Sequence, residues 1–251
     1  MVNIVLYNIV NRMKIVSWNC NGALRKKLHK LSTLEADLYI IQECENPDIY
    51  SGQSEEFHTF SANNLWAGKS KHRGLGVFAK NSLKLERLNW DHSYRGRELQ
   101  WFIPFSINNE FNIVAVWNHH ANAKAFKYIG QFWLFMQNNK DKFKNSIICG
   151  DFNSNTIWDH WDRWWNHSDV VRELDDLGIA SLYHAQTGEK QGMENQPTFY
   201  MHRKSEKPYH IDYAFISRSM MSGSMVKIGS PSEWLELSDH MPLVVELMTD
   251  N

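Results

Sequence analysis

The hydrophobic pattern of the chain consists mainly of short apolar runs, rich in β-branched and aromatic residues, that end in polar residues. Runs of this length, bounded by turn-forming residues, are typical of buried strands. The polar residues that follow them are therefore expected at strand ends, where their side chains can meet a ligand. The runs that show the pattern best are 15–22, 37–44, 111–117, 147–150, 210–216 and 241–246.

Helical periodicity occupies parts of the chain between these runs. Four leucines recur three or four positions apart over 24–34, which predicts a strand–helix–strand unit with the runs on either side. A second helix is predicted from Ala125 to Met136, and a third with Ser168 as its N-cap and Gly178 as its stop. A meander of short strands is predicted at 57–66, 75–79, 83–90 and 99–107.

Length and composition favour one soluble domain in a reducing compartment. The 251 residues contain no internal linker or repeat, so we expect a single domain over 13–251. Residues 1–12 precede a second possible start at Met13 and are expected to be a dispensable extension. Three cysteines on apparent strands indicate reduced core thiols and a cytoplasmic location. No apolar run approaches the length of a membrane span, and we favour a monomer.

The charge balance limits how the protein can bind nucleic acid. Its formal net charge is −1, with 27 lysines and arginines against 28 acidic residues. Proteins held on nucleic acid mainly through phosphates normally carry a basic surplus. Any contact with nucleic acid is therefore expected to be local, which disfavours a processive enzyme bound tightly to DNA.

The polar residues at the strand ends are carboxylates, amides and one histidine. Each alone is more often a turn or a cap residue than a site residue, because Gly, Asp and Asn are common turn residues. Their number is harder to explain in that way, and carboxylate and amide oxygens are suited to Mg²⁺ or Mn²⁺. Cys20 and Cys44 adjoin two of these positions but alternate toward the core, which disfavours a thiolate metal site. The set comprises Asn19, Asn21, Glu43, Asp151, Asn153, Asp212, Asp239 and His240.

Taken in order along the chain, these residues resemble the motifs of the endonuclease/exonuclease/phosphatase superfamily, closest to its exonuclease III-type, abasic-site endonuclease branch. The matching motifs are SWNCNG at 17–22, IQE at 41–43, GDFN at 150–153, HIDY at 210–213 and SDHMP at 238–242. The resemblance implies an α/β fold, a four-layer α/β/β/α sandwich. In it, two packed, mostly antiparallel mixed sheets carry helices on their outer faces.

The resemblance also implies a Mg²⁺ cofactor, for which Mn²⁺ can substitute. Glu43 is expected to be the principal metal ligand, with Asn19 and Asp239 as further ligands or as supports for it. A metal would neutralise charge on a phosphate undergoing attack by water.

For the chemical step, the resemblance assigns the attacking water to Asp151 and Asn153, which would position and deprotonate it. His240, oriented by Asp212, is expected to bind the scissile phosphate oxygen and to stabilise charge in the transition state. Together with the metal, these four residues predict a phosphodiester hydrolase.

Two positions depart from the family pattern. Trp117 stands where related enzymes carry a tyrosine or a histidine, and an indole cannot protonate a leaving group. Either no side chain protonates the leaving group, or His119 or His120 does so, and of these two we favour His119. Asn21 stands where the abasic-site enzymes often have a carboxylate, which puts a second metal position in doubt.

Candidate substrate-binding residues are Asn21, Trp117 and members of a tryptophan-rich segment that follows the GDFN motif. Trp158 and Trp161 are expected to stack on bases, although the alternative is a small hydrophobic cap over the core, formed together with Trp164 and Trp165. Arg73 is a candidate phosphate contact, or otherwise a solvated charge.

Three functions remain open from the sequence. The first is a Mg²⁺-dependent nuclease with DNA as its partner. The second is a phosphatase or phosphodiesterase acting on a small nucleotide, lipid or sugar phosphoester. The third is a catalytically silent nucleic-acid-binding module on the same fold, which the intact set of catalytic side chains disfavours.

Overall fold

Two six-stranded sheets form the framework of the protein, whose computed structural model describes residues 11–120 and 125–249. Among the described strands of the first sheet, Asn11–Asn19 and Leu38–Cys44 are the one parallel pair, and all other neighbours are antiparallel. In spatial order its strands are Met225–Ile228 (β15), Leu243–Thr249 (β16), Asn11–Asn19 (β1), Leu38–Cys44 (β2), Arg73–Ala79 (β4) and Asn64–Ser70 (β3).

The second sheet has the same design among its described strands, with one parallel pair, Phe111–Trp117 and Ser146–Asp151, among antiparallel neighbours. Its strands, in spatial order, are Ile179–Ser181 (β11), Asp212–Ser217 (β14), Ser146–Asp151 (β10), Phe111–Trp117 (β9), Phe102–Ile107 (β8) and Leu85–Arg87 (β5). Two small hairpins complete the strands: Ser93–Tyr94 (β6) with Arg97–Glu98 (β7), and Phe199–Tyr200 (β12) with Pro208–Tyr209 (β13).

Alternation along the strands separates three apolar clusters. In β1, Ile15 packs between the sheets while Val16 packs on the outer face, and in β10 Ile147 and Ile148 divide in the same way. Helices cover the outer faces, so the predicted α/β/β/α sandwich is confirmed. They are Leu28–Leu31 (α1), Pro47–Tyr50 (α2), Glu55–Phe60 (α3), Ile129–Asn139 (α4), His167–Asp176 (α5) and Pro231–Trp234 (α7). A further helix, Leu182–Thr187 (α6), closes the edge between the two sheets, with Leu182 and Tyr183 in the cluster between them.

The predicted strand over 57–66 is wrong in its first half. Residues Glu55–Phe60 form α3 instead, because Ser54 accepts a hydrogen bond from the Phe57 amide and two glutamates occupy the first turn. The predicted strands at 83–90 and 99–107 are shorter than expected, and Trp101, with a φ of 72°, precedes β8.

Helix boundaries also differ from the prediction. The segment over 24–34 is divided into 3₁₀, α and 3₁₀ turns rather than one helix. The third predicted helix begins two residues before Ser168, at the N-cap Asn166, which forms a reciprocal capping box with Asp169. The second begins at Ile129 rather than near Ala125.

The predicted extension at 1–12 lies outside the described residues, except for its last two positions. Asn11 and Arg12 belong to β1 and pair with Thr249 and Met248. The dispensability of the extension stays a prediction. None of the helices in the described part of the chain is long and apolar enough to cross a membrane.

Candidate active site

The predicted site residues meet where strands of the two sheets end on the same side of the sandwich. The parallel pairing of β1 with β2 brings Asn19 opposite Gln42, next to Glu43. In the second sheet, antiparallel pairing places Asp151 directly opposite Asp212. Gly150 permits this arrangement, because a Cβ there would lie 1.9 Å from the Val116 carbonyl oxygen.

Asp151 is fully buried and fixed by amides from both sheets. Its Oδ2 accepts hydrogen bonds from Asn19 Nδ2 and Asn153 Nδ2, both at 3.0 Å, and its Oδ1 accepts one from the Asn153 amide at 2.8 Å. Burial raises the pKa of Asp151 to about 7, outweighing the opposing charge of His240. A carboxylate whose pKa is close to 7 can act as a general base toward water near neutral pH.

His240 lies between two carboxylates. Its Nδ1 is 3.0 Å from Asp212 Oδ2 and 3.2 Å from Oδ1, while its Nε2 is 4.0 Å from Asp151 Oδ2. Burial lowers the pKa of His240, but Asp212 and Asp151 outweigh it and raise the pKa to about 9. The Trp18 indole fixes the backbone here by donating to the His240 carbonyl at 2.9 Å. His240 is therefore a buried cationic donor whose orientation is set by Asp212.

The predicted metal ligands lie beside these groups. Asn19 Nδ2 is 3.4 Å from Glu43 Oε1, and Asn21 Nδ2 donates to Asp239 Oδ1 at 3.1 Å. Glu43 has a φ of 59° at a bulge between β2 and β4, a strained conformation for a residue that is not glycine. Its buried Oε2 accepts no well-aligned hydrogen bond, although Arg73 Nη1 lies 2.7 Å away. The Glu43 Oε2 oxygen is therefore paired with a cationic side chain, and a metal ion there would replace Arg73 or share the oxygen with it.

A closer group of potential ligands is formed by Asp151, Asp212 and His240, whose donor atoms lie within 4.8 Å of one another. The imidazole Nδ1 is already bonded to Asp212, which leaves Nε2 as the nitrogen that His240 could offer to a metal. The thiols take no part, since Cys20 and Cys44 are free and buried, as is Cys149.

The residues that depart from the family pattern lie at the edge of the site. Trp117 is buried between Trp101 and His119, at ring distances of 5.3 Å from each, and its indole nitrogen has no partner among the described residues. His119 is solvent-exposed on the side of Glu43 and Arg73, but neighbouring residues cover part of its ring. This partial desolvation, followed by the charge of His120, lowers its pKa.

The tryptophan segment does not form the hydrophobic cap considered as an alternative. Trp161 is 98% exposed and Trp164 is 65% exposed, while Trp158 lies half-exposed against Tyr209. Only Trp165 packs inward, with its ring 5.4 Å from Phe126. The cap interpretation is wrong for the first three, because their loop projects from the sandwich.

Two residues at the site were missed in the sequence. Phe199 stacks 4.6 Å from the His240 ring and forms a β-bridge with that residue. Asn155 caps the turn after the GDFN motif and donates to Glu194 Oε2, to the His210 carbonyl and to the Tyr213 hydroxyl. The position of Asn155, four residues after Asp151, was a usable signal, whereas nothing near Phe199 marked it.

The fold and site together define a phosphoesterase of the α/β/β/α type. The model of the Endonuclease/Exonuclease/phosphatase family matches residues 16–240, and the chain belongs to this family. Comparison with curated proteins gave no match.

Solved structures share the fold over nearly the whole chain. A 3'-5' exonuclease from Neisseria meningitidis is 17% identical with a TM-score of 0.69, covering 94% of this chain and 100% of its own. A 3' phosphatase from Neisseria bound to a product DNA hairpin is 18% identical with a TM-score of 0.66 and the same coverage, 94% and 100%. An AP endonuclease from Archaeoglobus fulgidus is 18% identical with a TM-score of 0.65, covering 93% and 98%.

Proposed function

We propose that this protein is a divalent-metal-dependent nuclease that hydrolyses phosphodiester bonds in DNA. The observation that carries the proposal is the buried array in which Asp151, held by two amides, faces His240, held by Asp212. Hydrolysis of a phosphodiester requires a base for water and a cationic donor for the phosphate, and this array supplies both within 4.0 Å.

Asp151 is the base that accepts the proton of the attacking water in this proposal. Asn19 and Asn153 donate side-chain hydrogen bonds to its Oδ2, so Oδ1, which accepts from the Asn153 backbone amide, keeps a lone pair for the attacking water. His240 Nε2 donates to a non-bridging phosphate oxygen as negative charge develops there. Asp212 keeps the proton on Nδ1 and the ring in place.

Glu43, with Asn19 and Asp239, would bind the metal. Their oxygens form a hard donor set suited to Mg²⁺ or Mn²⁺, and the pairing of Glu43 Oε2 with the Arg73 guanidinium shows that this position attracts a cation. When bound, the metal supplies Lewis-acid neutralisation of charge on the phosphate. Asn21 supports this group through Asp239 and contacts the substrate on that side.

The remaining predicted residues are assigned to the leaving group and to the strand. His119 is proposed to protonate the leaving oxygen, next to Trp117, which shapes this edge of the site. Arg73, paired with Glu43, and the exposed Trp161 are proposed to meet the phosphate backbone and a base outside the centre.

DNA is the proposed partner because nucleases and a DNA-bound phosphatase share this fold. The second candidate is a phosphatase, favoured by the nearly neutral charge and by the DNA 3' phosphatase among the similar structures. The protein is further proposed to act as a monomer in the cytoplasm, consistent with three free buried thiols. Light scattering at working concentration tests the monomer.

The proposal is tested by comparing the wild type with Asp151→Asn on labelled single-stranded, duplex, abasic-site and 3'-phosphate DNA and on small phosphoesters. Each substrate is assayed with Mg²⁺, with Mn²⁺ and with EDTA. Asp176→Asn, an exposed change of the same type on α5, is the matched control. Metal-dependent DNA cleavage that is lost only in Asp151→Asn is expected. Release of phosphate without strand cleavage would select the phosphatase, and no turnover of any substrate would refute both.

A further inference from the structure

A cleft of about 470 Å³ opens directly beside the catalytic loop, a size typical of ligand sites. Asn153, which binds Asp151, contributes to its lining, so the cleft is continuous with the proposed centre of chemistry. Its other walls combine aromatic rings with two cations. The rings are those of Trp158 and Trp165, and the cations are Lys127 and Arg163.

A series of rings connects the cleft to the catalytic histidine. Trp158 lies 5.2 Å from Tyr209, which lies 6.4 Å from Phe199, and Phe199 lies 4.6 Å from His240. Trp158 is 43% exposed, so part of its ring is available to a planar ligand. Across the cleft, Trp165 is fixed against Phe126 and against Gly130, where a Cβ would lie 2.8 Å from the indole.

The cleft is also positively charged at its aromatic wall. The Arg163 guanidinium lies 4.7 Å from the Trp165 ring centre. Neither Arg163 nor Lys127 forms an ion pair with an acidic side chain in the part of the chain that the structure describes. Aromatic faces next to unpaired cations are the combination that binds single-stranded nucleic acid, through base stacking and phosphate contacts.

We propose that this cleft binds one unpaired nucleobase of the substrate strand, next to the scissile phosphate, with Trp158 as the stacking residue and Arg163 on the adjoining phosphate. This inference rests on the proposed function and adds a preference for unpaired strands. A base in a duplex is already stacked and paired, so its entry into the cleft requires the free energy of unstacking and unpairing it from the DNA helix. A single-stranded or frayed end enters without that cost.

The test is a double-mutant thermodynamic cycle that measures the coupling between the Trp158 indole and one base of the DNA strand. Asp151→Asn protein with EDTA binds a fluorescein-labelled single strand without cleaving it, and each base in turn is replaced by a tetrahydrofuran spacer. The same series is measured with Trp158→Ala added. Removing one particular base and removing the indole should each weaken binding roughly 5- to 100-fold, and the two losses should not add.

Matched variants separate stacking from misfolding. Trp164→Ala removes an exposed indole of the same segment that does not line the cleft. Any loss of binding free energy that it causes should therefore add to the loss caused by each spacer. Trp158→Phe retains an aromatic face and should restore most of the binding. Arg163→Gln should reduce the slope of log affinity against log salt by about 0.7, the value for one phosphate contact on a single strand.

Additive losses at every position, or equal affinity for single strand and duplex in the wild type, would overturn the inference. A free mononucleotide offers the same ring and phosphate and is the second probe. Binding of it that depends on Trp158, without coupling on the strand, would also overturn the proposal by making the cleft a nucleotide site. Loss of the proposed function itself is recognised separately, by wild-type-like cleavage in Asp151→Asn.

Discussion

His167 should make the folded protein labile to acid. Its side chain is 1% exposed at the start of α5, its ring lies 4.9 Å from Tyr213, and neither ring nitrogen makes a well-aligned hydrogen bond among the described residues. Burial lowers the pKa of His167 from 6.5 to about 4, although contact with Gln191 and the charge of Glu194 oppose the change. The folded protein therefore keeps this imidazole neutral where the unfolded chain protonates it.

The sign and size of the effect follow from proton linkage. Between pH 6.5 and about 4 the unfolded state binds more protons at this position, so stability falls as the pH falls. The contribution of His167 amounts to a loss of about 2 kcal/mol by pH 5 and about 3 kcal/mol once both states are protonated. From about one pH unit above 6.5 the group is neutral in both states and contributes no further pH dependence.

The assay is urea unfolding followed by tryptophan fluorescence at several pH values from about 7.5 to about 4.5. His167→Phe keeps a ring against Tyr213 and cannot titrate, so its stability should fall less steeply with acid than that of the wild type. His29→Phe, an exposed position, is the control and should follow the wild type. Parallel curves for His167→Phe and the wild type would refute the reasoning, because the buried imidazole would then not be the titrating group.

Three further changes test the site. Gly150→Ala should destabilise the protein by about 3 kcal/mol in urea unfolding, because the new Cβ would lie 1.9 Å from the Val116 carbonyl oxygen. Glu43→Gln should weaken Mg²⁺ or Mn²⁺ binding at least about 10-fold in calorimetry and lower the cleavage rate, because the proposed principal ligand loses its charge. His119→Asn should slow cleavage most at acidic pH: the pKa of His119 lies below its ordinary value, so its proton-donating form declines as pH rises.

Each of these has a matched control. Gly52→Ala adds a Cβ that meets nothing within 4 Å and should leave stability unchanged. Glu56→Gln and His58→Asn alter exposed residues of α3 and should leave metal binding and the pH profile as in the wild type. Normal metal affinity in Glu43→Gln would contradict Glu43 as the principal ligand and would instead favour the group of Asp151, Asp212 and His240 as the metal site. A pH-independent effect of His119→Asn would exclude it as the proton donor.

Much of the fold was determined by the local sequence. Alternation of apolar residues specified which strand residues face each side, as with Ile15 and Val16, because successive side chains of a strand point to opposite faces. The polar residues at the ends of those strands marked Asn19, Glu43, Asp151 and Asp212 as candidate site residues. Such short motifs can be read from the sequence because they depend on residue type and spacing and not on distant contacts. The helix at Glu55–Phe60 is the exception, because N-capping by Ser54 favours a helix where the aromatic residues alone predict a strand.

The assembly of the site was decided only by the tertiary structure. Asn19 and Asp151 are 132 residues apart in the chain, on different sheets, and meet at 3.0 Å because the two sheets pack with their functional edges on the same side. Phe199 reaches His240 from a hairpin with no distinctive motif. The exposure of Trp158 and Trp161 also follows from loop position, because an indole is apolar enough for a core and is kept from it here only by where the backbone runs.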